Sequence, residues 1–355
     1  MKKLTISLVI ISILVACQGP TKDAQSNKKK DHLNLTAAGA TFPMPFYNLA
    51  FKKYGDETGI LLTYGGIGSG GGIRSLKDRV VDFGATDAFL DDESMSGMPS
   101  EIIHVPTCIG AVVLAYNVPG LNGLKLSNRN IENIFMGEIT NWNDEQLKVN
   151  NSDIDFPDLP ITVVQRSDGS GTTYIFSDYL SKVSENWESS VGRGKSLKWP
   201  VGIGAKGNPG VAGTIKQTEG AIGYIGSEYA FSQNIPIALV ENKAGYYISP
   251  TIESISAAAK GTILADTRIM LTNPDDPEAY PISGFTWIIL YKEQNYDNRS
   301  MDQALETVTF LNWLIEEDAQ ALARQVNYAP LPERVSSLSK EILNSVTFNG
   351  KILTQ

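Results

Sequence analysis

The 355-residue sequence predicts an α/β fold of two lobes with a ligand cleft between them. Short apolar runs typical of buried strands alternate with helical patterns along the chain, which favours mainly parallel strands flanked by helices. Segments rich in glycine and hydroxyl residues stand where predicted strands turn into helices. They lie on both sides of an apolar strand around Cys108, so we expect the ligand to sit between two halves of the chain.

The most informative segment, residues 165–172, joins an apolar run at 161–164 to a predicted helix. In that turn Arg166 stands close to Ser170 and Thr172. A helix N-terminus offers free backbone N–H groups and partial positive charge, and an arginine offers two parallel donors. The combination suits a tetrahedral oxyanion. The alternative for the hydroxyl residues is ordinary capping of the helix.

Two further segments repeat this arrangement. Residues 38–45 lead into a helical pattern and place Thr41 and the backbone of Phe42 at its start. Residues 65–72 are mostly glycine, which lets a backbone approach a ligand closely, and they place the Ser69 hydroxyl before another helix. Three such helix starts in one chain are hard to explain by packing alone and favour a shared anion site.

Asp87 ends a predicted strand that runs into a loop at residues 80–87. A carboxylate repels a fully ionised anion but accepts a hydrogen bond from an anion that keeps a proton. Phosphate near neutral pH keeps at least one P–OH, whereas sulfate has none. Because sites built around a ligand hydroxyl reject a ligand lacking it by roughly 10⁴–10⁵, Asp87 predicts selectivity for phosphate. The alternative is an aspartate that only shapes a turn.

In order and spacing these motifs resemble the high-affinity phosphate-binding proteins of bacterial ABC importers, the PstS family. Segments at 137–144, 198–202 and 220–224 also resemble that family. The resemblance implies a two-lobed periplasmic-binding-protein-like fold of type II, whose lobes are joined by two crossover strands and close on the ligand. It implies that phosphate is held by hydrogen bonds from Thr41, the Phe42 backbone, Ser69, Asp87, Arg166, Ser170, the Gly171 backbone and Thr172.

The resemblance also implies that Asp168 pairs with Arg166 and holds its guanidinium in place. We expect lobe I to comprise residues 32–106 and about 241–355, and lobe II to comprise residues 107–240. The chain would cross near residues 106–111 and return at a point we place only between about 240 and 281. A strand at 280–286 would then lie near the hinge.

The N-terminus predicts export and a lipid anchor. Two lysines precede an apolar run at residues 4–15 that is too short to span a membrane, and the run ends in a lipoprotein-like cleavage site before Cys17. We therefore expect a signal peptide at 1–16, lipid on Cys17 and a flexible tether over 17–31. The protein would lie outside the cytoplasm, anchored to the membrane. An ordinary secretory signal is the alternative.

Composition limits the other functions. With 30 Lys and Arg against 39 Asp and Glu, the net charge of −9 argues against a nucleic-acid partner. A local arginine and helix ends can still bind an anion, because diffuse surface charge is screened beyond about 8 Å. The two histidines, His32 and His104, and two cysteines argue against a catalytic cysteine or a zinc site. We therefore predict no catalytic residue, no metal and no cofactor.

The partners implied by the resemblance are inorganic phosphate and an ABC permease with a cytoplasmic ATPase. Three alternatives remain at this point. The chain could be a lipoprotein that scavenges or senses phosphate without transport, a secreted phosphatase, or a binder of another oxyanion such as sulfate or molybdate.

With Cys17 lipidated, Cys108 has no cysteine left to pair with, and we predict that it is a buried strand residue.

Overall fold

The computed structural model describes residues 33–353. The predicted signal peptide, Cys17 and the whole predicted tether therefore lie outside the described residues. Within that range none of the helices combines the length and the apolar composition that a membrane span requires.

Strands and helices alternate along the described chain. The strands are β1 (Asn34–Gly39), β2 (Leu61–Gly66), β3 (Phe83–Thr86), β4 (Ile102–Asn117), β5 (Lys125–Leu126), β6 (Thr162–Arg166), β7 (Ile203–Ala205), β8 (Ala221–Gly226), β9 (Leu239–Glu241), β10 (Tyr247–Ile248), β11 (Ser283–Tyr291), β12 (Thr347–Phe348) and β13 (Lys351–Ile352). The helices are α1 (Met44–Thr58), α2 (Ser69–Lys77), α3 (Asp92–Ser96), α4 (Asn128–Met136), α5 (Glu145–Lys148), α6 (Gly171–Val183), α7 (Glu185–Ser190), α8 (Gly207–Gln217), α9 (Ser227–Gln233), α10 (Ile252–Ala257), α11 (Met301–Leu314), α12 (Glu317–Gln325) and α13 (Glu333–Leu343).

Eight strands form one mixed sheet in the order β2-β1-β3-β11-β4-β8-β6-β7. At each end of the sheet neighbouring strands run parallel, as expected for strands connected through helices. The centre is antiparallel, because β11 runs against both β3 and β4, and β4 runs against β8. The sequence prediction of an α/β fold is therefore confirmed, and within this sheet parallel pairing is confined to the outer strands. The strands β5 and β9 also pair in parallel, in a separate three-stranded sheet with β10.

The long central strand β4 changes its partner along its length. Residues from Ile102 to Ala111 pair with β11, and residues from Val112 to Asn117 pair with β8. Cys108 lies within β4, fully buried and unpaired, as predicted. The strand predicted at 280–286 is present as β11, and the chain reaches it through residues 258–282, which contain no helix or strand.

Aromatic clusters pack on the two ends of the sheet. On the β1–β3 side the rings of Phe51 and Phe310 meet edge-on with centroids 5.1 Å apart. On the β6–β8 side the rings of Phe176 and Tyr224 stack with centroids 4.6 Å apart. Phe51 lies on α1 and Phe176 on α6, the helices that follow two of the predicted turns. Since aromatic side chains bury large apolar areas, each cluster anchors one of these helices to the sheet.

Candidate functional site

The sequence-predicted site residues come from three strand-to-helix turns and from the end of β3. The structure buries every residue predicted to contact the anion, with Thr41 4% and Arg166 5% exposed, whereas Asp168 is only partly buried. The others are Phe42, Ser69, Asp87, Ser170, Gly171 and Thr172. Burial of so many polar groups is costly unless each finds a partner, so their contacts define what the site can bind.

Two of the predicted turns are in direct contact. The Ser69 hydroxyl oxygen accepts hydrogen bonds from the backbone N–H of Gly171 at 3.0 Å and from that of Asp87 at 3.3 Å. Beside this contact the N–H of Gly70 donates to the carbonyl of Gly169 at 2.8 Å. The structure therefore brings the starts of α2 and α6 together at the end of β3.

Arg166 is held by Asp168 in a two-point ion pair. Its Nε donates to Oδ1 at 2.7 Å and its Nη2 donates to Oδ2 at 2.5 Å, while Nη1 reaches the Thr172 hydroxyl at 3.3 Å. Burial alone would raise the pKa of Asp168, but hydrogen bonds and charge from Arg166, with the N–H of Gly207, lower it overall. The lowered pKa keeps Asp168 ionised, and its two hydrogen bonds fix the guanidinium of Arg166.

The turn that carries Arg166 is fixed to the neighbouring strand by Tyr224. The Tyr224 hydroxyl accepts the backbone N–H of Arg166 at 3.1 Å and shares a hydrogen bond with the Thr173 hydroxyl at 2.7 Å. Ser170 caps α6 by accepting the N–H of Thr173 at 3.0 Å. The capping alternative is therefore realised at Ser170, and capping leaves its hydroxyl hydrogen free to donate elsewhere.

Asp87 presents a carboxyl oxygen without a partner. Its Oδ1 accepts a hydrogen bond from the Thr286 hydroxyl at 2.8 Å, whereas its buried Oδ2 meets no hydrogen-bond partner among the described residues. Burial raises the pKa of Asp87 to about 7, against the lowering effects of the Thr286 hydrogen bond and the Arg166 charge. An unpaired buried oxygen of an ionised carboxyl group can accept a hydrogen bond from a ligand hydroxyl.

Asn208, at the start of α8, joins Thr41 to Thr172 and was missed by the sequence prediction. Its side-chain amide donates to both threonine hydroxyls at 3.1 Å, and its backbone N–H donates to Thr41 at 3.0 Å. The available signal was another helix start containing glycine and a small polar residue at 207–210. That segment begins with the last glycine of a G-x-G-x-x-G pattern at residues 202–207, which is a loose match to a dinucleotide-binding motif.

Three further residues support the site from distant parts of the chain. Tyr229 and Tyr328 donate their hydroxyls to the carbonyls of Thr41 and Phe42, which fixes the turn before α1. Thr286 on β11 holds Asp87. No sequence signal marks these contacts, because each partner lies far away along the chain.

His104 is a buried, neutral hydrogen-bond acceptor within the fold. His104 Nε2 accepts the backbone N–H of Leu90 at 3.0 Å, and burial lowers its pKa to about 3, so the ring is neutral and structural. Within residues 33–353 no cluster of three or more His, Cys, Asp and Glu side chains is arranged to hold a metal ion.

The site as a whole can hold an anion that offers acceptors and one proton. The donors are neutral hydroxyl and N–H groups, and the guanidinium of Arg166, already paired with Asp168, brings positive charge. Hydrogen bonds in such a buried environment are stronger than in water, and an unpaired group there is correspondingly expensive. A small, partly protonated oxyanion satisfies both the donors and the free oxygen of Asp87.

The chain is similar to a family model and to known phosphate-binding proteins over most of its length. A family model described as a PBP superfamily domain matches residues 19–318. The phosphate-binding protein PstS of Haemophilus influenzae is 36% identical over 336 residues, covering 93% of this chain and 96% of that protein. The PstS of Pasteurella multocida is 35% identical over 332 residues, covering 92% of each chain.

Solved structures share the fold at lower identity. A human phosphate binding apolipoprotein has a TM-score of 0.69 with this chain at 20% identity, covering 90% of this chain and 100% of its own. At that identity the likeness extends to the fold alone.

Proposed function

The chain belongs to the PstS family of phosphate-binding proteins, within the PBP superfamily, and from that premise we propose that it binds inorganic phosphate outside the cytoplasm and delivers it to an ABC-type import permease. The observation that carries this proposal is the unpartnered Oδ2 of buried Asp87, a carboxyl group that feels the positive charge of Arg166. Such a pair suits an oxyanion that still carries a hydrogen.

In the proposed mode, phosphate is held by hydrogen bonds alone. Arg166 supplies the charge, and the remaining donors are the hydroxyls of Thr41, Ser69, Ser170 and Thr172 with the backbone N–H of Phe42. The N–H of Gly171, which donates to the Ser69 oxygen in this structure, would share its hydrogen between that oxygen and phosphate. Asp87 accepts the hydrogen of a P–OH group. Sulfate has no hydrogen to give, so its oxygen would face the carboxylate and be repelled.

We place the two lobes at residues 32–106 with about 241–355, and at residues 107–240. The change of partner within β4 supports a boundary in this strand, because β1 to β3 lie on one side of it and β6 to β8 on the other. The direct contact between Ser69 and Gly171 would then be a contact between lobes, made on closure. Hinge closure of this kind buries the ligand and shields it from water.

We further propose that residues 1–16 direct export and that Cys17 carries a lipid anchor, with residues 17–31 as the tether. The chain would be a binding protein and not an enzyme. Replacing Cys17 by serine should move the protein from the membrane fraction to the soluble fraction of cells. Retention of Cys17→Ser in the membrane fraction would contradict the anchor.

Titration calorimetry on protein refolded free of ligand tests the central proposal. Phosphate and arsenate, which are both protonated tetrahedral anions, should each bind with one ion per chain. Sulfate should bind more weakly by roughly 10⁴–10⁵. Comparable affinity for sulfate and phosphate would contradict the role of Asp87, and turnover of a chromogenic phosphate ester would favour a phosphatase instead.

Coupling to transport needs a separate experiment. A strain deleted for this chain should regain phosphate uptake when the wild-type chain is restored and not when a variant that binds no phosphate is restored. Uptake that is independent of the chain, with phosphate binding intact, would favour a scavenging or sensing role.

A further inference from the structure

Asn208 is fully buried, and its amide orientation follows from its surroundings. The side-chain Oδ1 accepts the backbone N–H of Gly226 at 2.9 Å. Since an N–H group can only donate, the oxygen must face Gly226, and the NH₂ group must face the hydroxyls of Thr41 and Thr172. The direction of these hydrogen bonds is therefore set by chemistry.

Both threonine hydroxyls have their acceptor capacity filled by N–H groups. Thr41 Oγ1 accepts from the backbone and side-chain nitrogens of Asn208, and Thr172 Oγ1 accepts from Asn208 Nδ2 and Arg166 Nη1. A hydroxyl oxygen has two lone pairs and one hydrogen. With both lone pairs engaged, each hydroxyl can make one more hydrogen bond only by donating its own hydrogen.

Resting on the proposed function, we propose that Asn208 is a positioning residue that makes the hydroxyls of Thr41 and Thr172 obligate donors to phosphate. It acts through the two threonines and needs no contact with the ion. An aspartate at position 208 would have similar size and could still accept from Gly226. It would, however, attract the two hydroxyl hydrogens toward itself and away from the ligand.

The same residue connects distant parts of the site. Thr41 lies 167 positions before Asn208 and Thr172 lies 36 positions before it, in the turns before α1 and at the start of α6. One amide therefore aligns donors from both turns at once. Because each turn is also held by its own contacts, loss of the amide should misdirect the hydroxyls more than it displaces the turns.

A double-mutant cycle on phosphate affinity tests the proposal. Asn208→Ala in the wild-type background should weaken phosphate binding about 10- to 100-fold, which corresponds to one or two misdirected hydrogen bonds. In a Thr41→Val, Thr172→Val background, where no hydroxyls remain to be directed, the same change should weaken binding less than about threefold. Equal losses of phosphate affinity in the two backgrounds would overturn the proposal, because the effect of a purely structural residue would not depend on whether the two hydroxyls are present.

Asn208→Asp is the second variant, for use if Asn208→Ala fails to fold. It keeps the volume and the acceptor for Gly226, and it should weaken phosphate binding more in the wild-type background than in the valine background. Equal losses would again overturn the role of Asn208. A wild-type protein that binds no phosphate would overturn the proposed function and the role of Asn208 together, so the two failures are distinguishable.

Discussion

The backbone N–H of Gly171 donates a hydrogen bond to the Ser69 hydroxyl oxygen over 3.0 Å, although 102 positions separate the two residues. The approach depends on glycine. A Cβ at position 171 would lie 2.5 Å from Ser69 Oγ, 2.6 Å from Asp87 Cβ and 2.7 Å from the Asp87 nitrogen. Such distances require the two turns to move apart, so any side chain at 171 conflicts with this arrangement.

Gly171→Ala should therefore weaken phosphate binding by about 10- to 100-fold, the range expected when one methyl group overpacks a buried contact. Calorimetry with phosphate measures the loss. Gly213→Ala is the matched control, because Gly213 lies within α8 and an added Cβ meets nothing within 4 Å. Wild-type affinity in Gly171→Ala would mean that the observed contact is not part of the phosphate-bound state.

Arg166→Lys should weaken phosphate binding by at least about tenfold, although it preserves the charge. A lysine cannot donate to both oxygens of Asp168 and to Thr172 from one fixed plane. Arg166→Ala should cost several kcal/mol, since it also leaves Asp168 without its ion-pair partner. Arg193→Lys is the control, because the Arg193 side chain is 45% exposed. If Arg166→Lys matches the control, the guanidinium does not contact phosphate.

The turns of the site were predictable because their signals are local. The segment at 165–172 was predicted to join a strand to a helix, and the structure has β6 and α6 on either side of it. The same holds for the glycine-rich turn before α2. A helix start that binds an anion needs hydroxyl residues, glycines and an arginine within a few positions of one another. Such a pattern can be recognised in a single sequence without knowledge of the fold.

The partners that orient these turns were not predictable, because they depend on strand order. Thr286 reaches Asp87 across 199 positions, and it does so only because β11 inserts between β3 and β4. Asn208 reaches Thr41 across 167 positions for a similar reason. A threonine within an apolar strand or an asparagine at a helix start has no local feature that identifies a partner so far away.

Asp87→Asn should reduce the preference for phosphate over sulfate by at least about tenfold, because an amide neither repels sulfate nor selects for a P–OH group. Calorimetry with both anions at one pH measures the ratio of the two dissociation constants. Asp91→Asn is the control, since Asp91 caps α3 through Ser94, and asparagine caps a helix equally well. An unchanged ratio in Asp87→Asn would remove Asp87 from the selectivity mechanism.

Glu228, at the start of α9, makes the stability of the ligand-free protein depend on pH. Burial raises its pKa to about 8, the charge of Asp87 adds to this, and its Oε1 meets no hydrogen-bond partner among residues 33–353. The folded protein therefore keeps a proton that the unfolded chain releases above its ordinary carboxyl pKa. The contribution of Glu228 to the free energy of unfolding is therefore fully present at low pH. It is lost as the pH rises toward 8, by up to about 1.4 kcal/mol per pH unit.

Glu228→Gln should consequently flatten the fall in the free energy of unfolding between pH 5 and 8, because glutamine has no proton to lose. The share of this fall that comes from Asp87, whose pKa is raised to about 7, should remain. Urea denaturation at four pH values in that window measures the slope, with Glu57→Gln, where the Glu57 side chain is 51% exposed, as the surface control for the same substitution. Parallel slopes for Glu228→Gln and wild type would mean that Glu228 is already ionised in the folded protein.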